Sequence, residues 1–369
     1  MKTLKLIAIL VLKIYYLFLY TSYSQEDTTL IRMLFVGDIM GHDGQIKAAY
    51  NENLKTYNYN DVFSYIEPYL KTVDIAAGNL EVTLGGAPYT GYPQFSSPDQ
   101  LAEALKNAGF NLLFTANNHC LDRGKNGLTK TIKLLDSLKI MHTGTFYNQT
   151  HRDTSYPLIV DIKNMRIAFL NYTYGTNGIL PQKPVIVNYI DTSIIAKDIE
   201  KTQKYNPDII IAIMHWGNEY ERSYNIEQKT LANFLFKKGV KLIIGSHPHV
   251  IQPVEIFYEN NNKHIDKLVA YSLGNFVSNQ RSRYKDGGIM YKVTLKKFDD
   301  KTIIYDCSYI PVWVFAGIIN NDYEFRVVPY HLYKKNPNIL PLTENDKIKI
   351  EQFYQDTKNL LKNIKEDEK

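Results

Sequence analysis

The chain has 369 residues, of which 44% are hydrophobic and 22% charged, an ordinary balance for a globular protein with a substantial core. Its formal charge of +5 falls to +2 once the three lysines of the first 24 residues are set aside. That is too small to argue for nucleic acid or an anionic membrane surface.

Residues 1–24 read as a signal peptide. Lys2 and Lys5 precede an apolar run over 6–20 that only Lys13 interrupts, and Ser22-Tyr23-Ser24 offers small residues for cleavage before Gln25. The run is shorter than the roughly 20 residues of a spanning helix. The expected localisation is therefore export to the periplasm or cell envelope, with a retained N-terminal membrane anchor as the alternative. Cys120 and Cys307 have no zinc-finger or redox spacing, and either a disulfide or two buried thiols would suit them.

The first strand spans 31–37 and ends in Gly37-Asp38-Ile39-Met40-Gly41-His42. Asp38 and His42, one short turn apart, can share a metal ion. A helix is expected over 61–70. A second strand, 73–77, ends in Gly78-Asn79-Leu80-Glu81, where Glu81 could bridge two cations. A long loop, 85–97, and a helix over 98–109 precede a third strand, 110–115. That strand stops abruptly at Asn117-Asn118-His119, with Asp122, Arg123 and Gly124 just beyond. A helix over 129–138 and a short strand, 141–145, complete a β-α-β-α-β-α-β order, the pattern of a layered α/β domain with parallel strands.

A hairpin follows, with strands 157–162 and 166–172, then a loop, 175–188, and a helix, 192–204. Strand 208–214 ends in His215-Trp216-Gly217. Helix 226–237 leads to strand 241–245 and Ser246-His247-Pro248-His249. In extended backbone, two imidazoles one residue apart project to the same side. Strand 267–272 ends in Leu273-Gly274-Asn275-Phe276. Three β segments follow at 289–296, 302–315 and 324–328. Pro311 restricts the middle one to an edge or a bulge. Residues 343–365 read as a C-terminal amphipathic helix, with Thr343 and Asp346 as a capping pair. The chain thus divides into the signal segment, a domain over 30–335 and a C-terminal helical segment over 341–369.

Apolar strands that end in polar, metal-capable side chains recur along the chain: Asp38, His42, Glu81, Asn118, His119, His215, His247 and His249. In α/β folds such strand ends form the ligand-binding rim. The donors suit Mn, Fe, Zn or Mg, and they are too many for one tetrahedral site. Two divalent cations would use them all and could activate water against a phosphoryl group. A histidine beside a ligand could then protonate the leaving group.

The blocks Gly37-Asp38-Ile39-Met40, Gly78-Asn79-Leu80-Glu81, Ala116-Asn117-Asn118-His119 with Asp122 and Gly124, His215-Trp216-Gly217, Gly245-Ser246-His247-Pro248-His249 and Ser272-Leu273-Gly274-Asn275-Phe276 occur in one order. In these the sequence resembles the CapA, or poly-γ-glutamate capsule-synthesis, family of the calcineurin-like metallophosphoesterase superfamily. The resemblance implies a metallo-dependent phosphatase-like, four-layer α-β-β-α sandwich with two central sheets. It implies Asp38, Glu81 and His249 on one metal, with His42 a possible fourth ligand in place of the histidine that Met40 replaces. It implies Glu81, Asn118, His215 and His247 on the other, and His119 as the leaving-group acid, with Asp122 beside it. Arg123, Asn275, Arg281 and Arg283 are the candidate substrate contacts.

The expectation is a metal-dependent hydrolase of a phosphoester, or a related bond, in an anionic envelope polymer such as poly-γ-glutamate or in its precursor. Its partners would be that polymer and membrane-bound capsule-synthesis machinery, with no nucleic acid. The alternatives are a non-catalytic polymer-binding subunit and an amide hydrolase acting on poly-γ-glutamate.

Overall fold

A computed structural model describes residues 28–259, 264–298 and 301–368. The expected signal segment lies outside them. Among the described residues, no helix is long and apolar enough to cross a membrane.

The strands of the fourteen-stranded sheet, in chain order, are β1 (Thr29–Ile39), β2 (Ile75–Leu80), β3 (Leu112–Phe114), β4 (Met141–Thr143), β5 (Leu158–Ile162), β6 (Met165–Thr173), β7 (Ile209–His215), β8 (Leu242–Ser246), β9 (Val254–Tyr258), β10 (Ile265–Ala270), β11 (Asn275–Val277), β12 (Gly287–Phe298), β13 (Lys301–Ile319) and β14 (Asp322–Pro329). They form two halves. One runs β4-β3-β2-β1-β12-β13, with β11 added to β1 and β14 to β13. The other runs β10-β8-β7-β6-β5, with β9 added to β10. A single paired position, Ile265 with Ile304, joins them.

Side-chain alternation explains how the halves stack. Met33, Phe35, Ile75, Ala77, Leu112 and Phe114 of the first half share one core with Ile167, Phe169, Ile211, Ile213, Leu242 and Ile244 of the second. Their sequence neighbours point the other way. Leu34, Val36, Ala76 and Leu113 pack with Leu101 and Leu105 of helix Gln100–Ala108. Ala168, Leu170, Ile210, Ala212 and Ile243 pack with Ile195 and Ile199 of helix Thr192–Gln203, and with Ala232 and Leu235 of helix Ile226–Lys237. Both faces of each half are covered, so the strands read as unbroken apolar runs. The result is the expected α-β-β-α layering.

β1 to β4 pair in parallel, as do β6, β7, β8 and β10. Their C-terminal ends therefore share one rim. The 157–172 hairpin forms, turning through Lys163 and Asn164 with positive φ. The expected helix over 61–70 is instead a 3-10 turn, Asn60–Phe63, and one short helix, Glu67–Leu70. Helix Gln149–Ser155 buries no side chain, which is why no apolar period announced it. Pro311 sits where β13 is locally an edge. It lies opposite Ile289 of β12, just beyond the last β14 partner, Val312. The adjacent free side of β13 is taken at Tyr309 by the C-terminal tail, through Tyr309 N–H to Lys365 O and Asp367 N–H to Tyr309 O. Thr343 and Asp346 cap helix Glu344–Leu360 reciprocally. Cys120 and Cys307 are buried free thiols.

Gly37 shows why a glycine precedes Asp38. The Asp38 N–H donates to Gly274 O at 3.0 Å, and a Cβ on Gly37 would stand 1.9 Å from that oxygen. Gly37→Ala should therefore cost about 1–3 kcal/mol through forced backbone movement. Chemical denaturation measures it, and an unchanged midpoint would refute the packing argument.

Candidate metal centre

Each chemistry-bearing side chain stands at the shared rim. Asp38 lies near the end of β1, and Glu81 directly follows β2. Asn118 and His119 follow β3, His215 closes β7, and His247 and His249 follow β8. All seven are buried.

Asp38 and His249 face each other, with His249 Nδ1 3.1 Å from Asp38 Oδ2. Glu81 Oε1 lies 3.6 Å from His249 Nε2 and 3.8 Å from His215 Nε2. His215 Nε2 is 2.9 Å from Asn118 Oδ1. Two sets of donor atoms, each within 4.8 Å of one another, could hold an ion: Glu81, His247 and His249, and Asp38, Glu81 and His215. Glu81 belongs to both, as a bridging carboxylate would. The sets cut across the expected division, which gave His249 to Asp38 and His247 to His215. The rings of His247 and His249 come off one turn, with centroids 5.9 Å apart, so both can reach Glu81.

That turn corrects the expectation of extended backbone. His247 and His249 have φ of +98° and +58°, a region that side-chain-bearing residues rarely occupy. The strain aims the rings, and it falls where functional sites tend to hold such residues. His42 joins neither set. It caps helix Asp43–Ala49, its Nδ1 is 3.2 Å from Gln45 Oε1, and the same nitrogen accepts from Asn279 N–H at 3.3 Å.

The electrostatics describe a cation site without its charge. Burial, then the neighbouring Asp38, push the Glu81 carboxyl well above its usual range. Burial also opposes ionisation of Asp38, but the hydrogen bond and charge of His249 outweigh it and leave the pKa lowered. Burial, then the other imidazoles, hold His215 well below the usual histidine value, and His247 at about 3. Burial also takes His42 to about 4. Glu81 Oε1 and His247 Nδ1 are buried without a hydrogen-bond partner. Orphaned buried acceptors are costly, and a cation would satisfy both. The donor set, carboxylates with neutral imidazoles and an amide oxygen, fits a hard-to-borderline divalent ion.

These shifts predict the proton count of metal binding. His215 and His247 are already neutral near neutral pH, so they have no proton to lose. Glu81, raised by folding, does. Metal uptake should displace the Glu81 proton, so Glu81→Gln should release one proton fewer than the parent. Calorimetry in buffers of different ionisation enthalpy reads the difference, and an equal count in the two proteins would remove Glu81 as a proton source.

His119 is arranged differently. Its Nδ1 lies 2.7 Å from Asp122 Oδ2, which also accepts from Phe95 N–H at 2.7 Å. The Phe95 ring meets His119 edge-on at 4.6 Å. This places Nδ1–H on the carboxylate and leaves Nε2 for a substrate.

The candidate substrate contacts divide. Arg123 donates to Pro88 O and Thr90 Oγ1, pinning the 85–97 loop. Arg281 donates to Val314 O and stacks on Trp313, and Arg283 is paired with Asp356. None of these guanidinium groups joins the metal-capable cluster. Asn275 sits opposite Asp38 in the β1–β11 pairing and donates to Gln280 Oε1 and Lys285 O.

Several residues were given no role by sequence reasoning. Asn79 Nδ2 donates to Asp38 Oδ1 at 2.9 Å and to Glu81 Oε2 at 3.0 Å. Asn117 Nδ2 in turn donates to Leu80 O and Asn79 Oδ1. Ser246 Oγ is 2.9 Å from His215 Nδ1. The Tyr174 ring lies 4.5 Å from that of His247. The i, i+2 spacing of Asn79 and Glu81 was a usable signal. Tyr174 gave none, because it sits in a loop.

The family model "Bacterial capsule synthesis protein PGA_cap" matches residues 32–280. The capsule biosynthesis protein CapA of Bacillus anthracis is 28% identical over 279 residues, covering 72% of this chain and 64% of that protein. The PGA biosynthesis protein CapA of Bacillus subtilis (strain 168) is 29% identical over 279 residues, covering 69% and 66%. The chain thus spans just under two thirds of the length of each. A solved calcineurin-like phosphoesterase, YfkN from Bacillus subtilis, is similar with a TM-score of 0.44 at 14% identity, covering 89% of this chain and 98% of that one. The family match takes in every strand-end block from Asp38 to Asn275, and by it the chain belongs to the bacterial capsule synthesis protein PGA_cap family.

Proposed function

We propose that this is an exported, metal-dependent hydrolase that cleaves a phosphoester in an anionic envelope polymer or its precursor, alongside membrane-bound capsule-synthesis machinery. The single observation that carries the reading is the convergence of Asp38, Glu81, His215, His247 and His249 on one buried rim, with the Glu81 Oε1 and His247 Nδ1 acceptors left unpartnered. The names of the curated relatives supply the capsule context.

Asp38, Glu81, His215, His247, His249 and Asn118 Oδ1 would hold two divalent ions. When bound, these would supply Lewis-acid activation of a phosphoryl group and of water. The protein's own part is positional. Asn79 fixes the two carboxylates, Ser246 and Asn118 fix the His215 ring, and Asp122 fixes that of His119. His119 Nε2 delivers a proton to the departing oxygen.

The test is metal content and turnover of the purified full chain on a phosphomonoester and a phosphodiester, before and after chelation. Bound divalent metal and turnover lost with the chelator and restored by the ion support the reading. Bound metal with no turnover of either ester would move it to polymer binding or amide hydrolysis.

A further inference from the structure

Three exposed tyrosines stand near the candidate site, each from a different loop. Tyr92, Tyr174 and Tyr220 are 71%, 47% and 46% exposed, large values for aromatic rings beside so buried a site. Tyr174 lies against His247, with ring centroids 4.5 Å apart. Tyr220 lies 6.1 Å from His249. Tyr92 meets Phe95 at 6.5 Å, and Phe95 meets His119 at 4.6 Å. Three exposed aromatic rings thus lie close to the candidate site.

Tyr220 holds φ of +67°, a left-handed conformation disfavoured for a residue with a β-carbon, and its N–H is tied to Pro248 O at 2.8 Å. A ring kept in place at such a cost is held there by its surroundings. Exposed Glu219 lies beside Tyr220, and Lys285 lies 4.0 Å over the Tyr220 ring.

We infer that Tyr92, Tyr174 and Tyr220 form a subsite for a sugar ring attached to the scissile phosphoester, so that the substrate is a sugar phosphate. The inference rests on the phosphoesterase reading. A pyranose offers an apolar C–H face for an aromatic ring, and its hydroxyl edges suit Asn177, which lies beside Asn118 and His119, and Glu219 and Gln280, which lie beside Tyr220.

The probes are glucose 6-phosphate, glycerol 3-phosphate and a γ-linked pentaglutamate, offered to the manganese-loaded full chain. The first two carry the same charge and differ by the ring. The expected result is a preference in kcat/KM of about tenfold or more for the hexose phosphate. That ratio should fall severalfold in Tyr92→Ala and in Tyr220→Gly. The glycine variant suits the left-handed backbone and removes the ring. Tyr220→Trp should restore the preference. Equal rates on the two esters, a ratio unchanged in both variants, or pentaglutamate competing more strongly than the hexose phosphate would each overturn the subsite. Calorimetric titration of the same probes decides the ring preference even without turnover. Absent turnover thus counts against the phosphoesterase reading, and absent ring preference against this one.

Discussion

Glu81→Gln should make the metal-free protein more stable and the metal-loaded protein inactive. Glu81 is fully buried, has one oxygen without a partner, and shares its surroundings with Asp38. Folding therefore raises its pKa from the usual 4.5. A carboxyl raised in this way contributes stability below its unfolded value, and that contribution is lost as pH rises through the folded value. The metal-free parent should lose stability over that window and the glutamine variant should not. The depressed imidazoles act in the opposite sense, losing stability as pH falls below about 6.5, but they are common to both proteins and largely cancel in the difference. Once the parent's Glu81 is ionised, the variant should be the more stable by about 1–3 kcal/mol, because it buries no unpaired charge. Hydrolysis should fall by roughly 10³-fold or more, because several kcal/mol of cation chemistry goes with the bridge. Thermal melts with and without divalent metal, paired with kcat/KM, read both effects. A variant that is less stable without metal, or that keeps its activity, would remove Glu81 from the centre of the site.

His119→Ala should lower kcat by about 10²- to 10⁴-fold, the usual contribution of a positioned proton donor. It should do so selectively. Esters that leave as alkoxides need the proton, whereas a nitrophenolate leaves without it, so the loss should be far smaller on the activated ester. Metal content should be unchanged, because His119 Nδ1 is held by Asp122 and the ring belongs to neither donor set. Asp122→Asn should act in the same direction by loosening the tautomer. A uniform loss across leaving groups, or loss of bound metal, would show that His119 works as a ligand or a packing residue.

Much of the scaffold could be read from local pattern. Apolar runs at β1, β7 and β8 and the turn residues of the 157–172 hairpin announced their elements, because period and turn chemistry act over a few residues. Short or polar elements did not announce themselves. Helix Gln149–Ser155 buries nothing, and the 3-10 turn at Asn60–Phe63 has too few residues for a period. Asn79 and Ser246 were visible beside their better-known neighbours, but their work is to orient other side chains, which depends on distances between strands.

The sequence by itself determined which strands end in carboxylate, amide and imidazole, and in what order. That information is covalent and local. The tertiary structure decided the rest, because it depends on how two faced half-sheets place loops far apart in sequence. It turned the His247 and His249 backbone left-handed, which put both rings within reach of Glu81. It committed Arg123, Arg281 and Arg283 to internal partners, took His42 into a helix cap, and left three exposed tyrosines near the site.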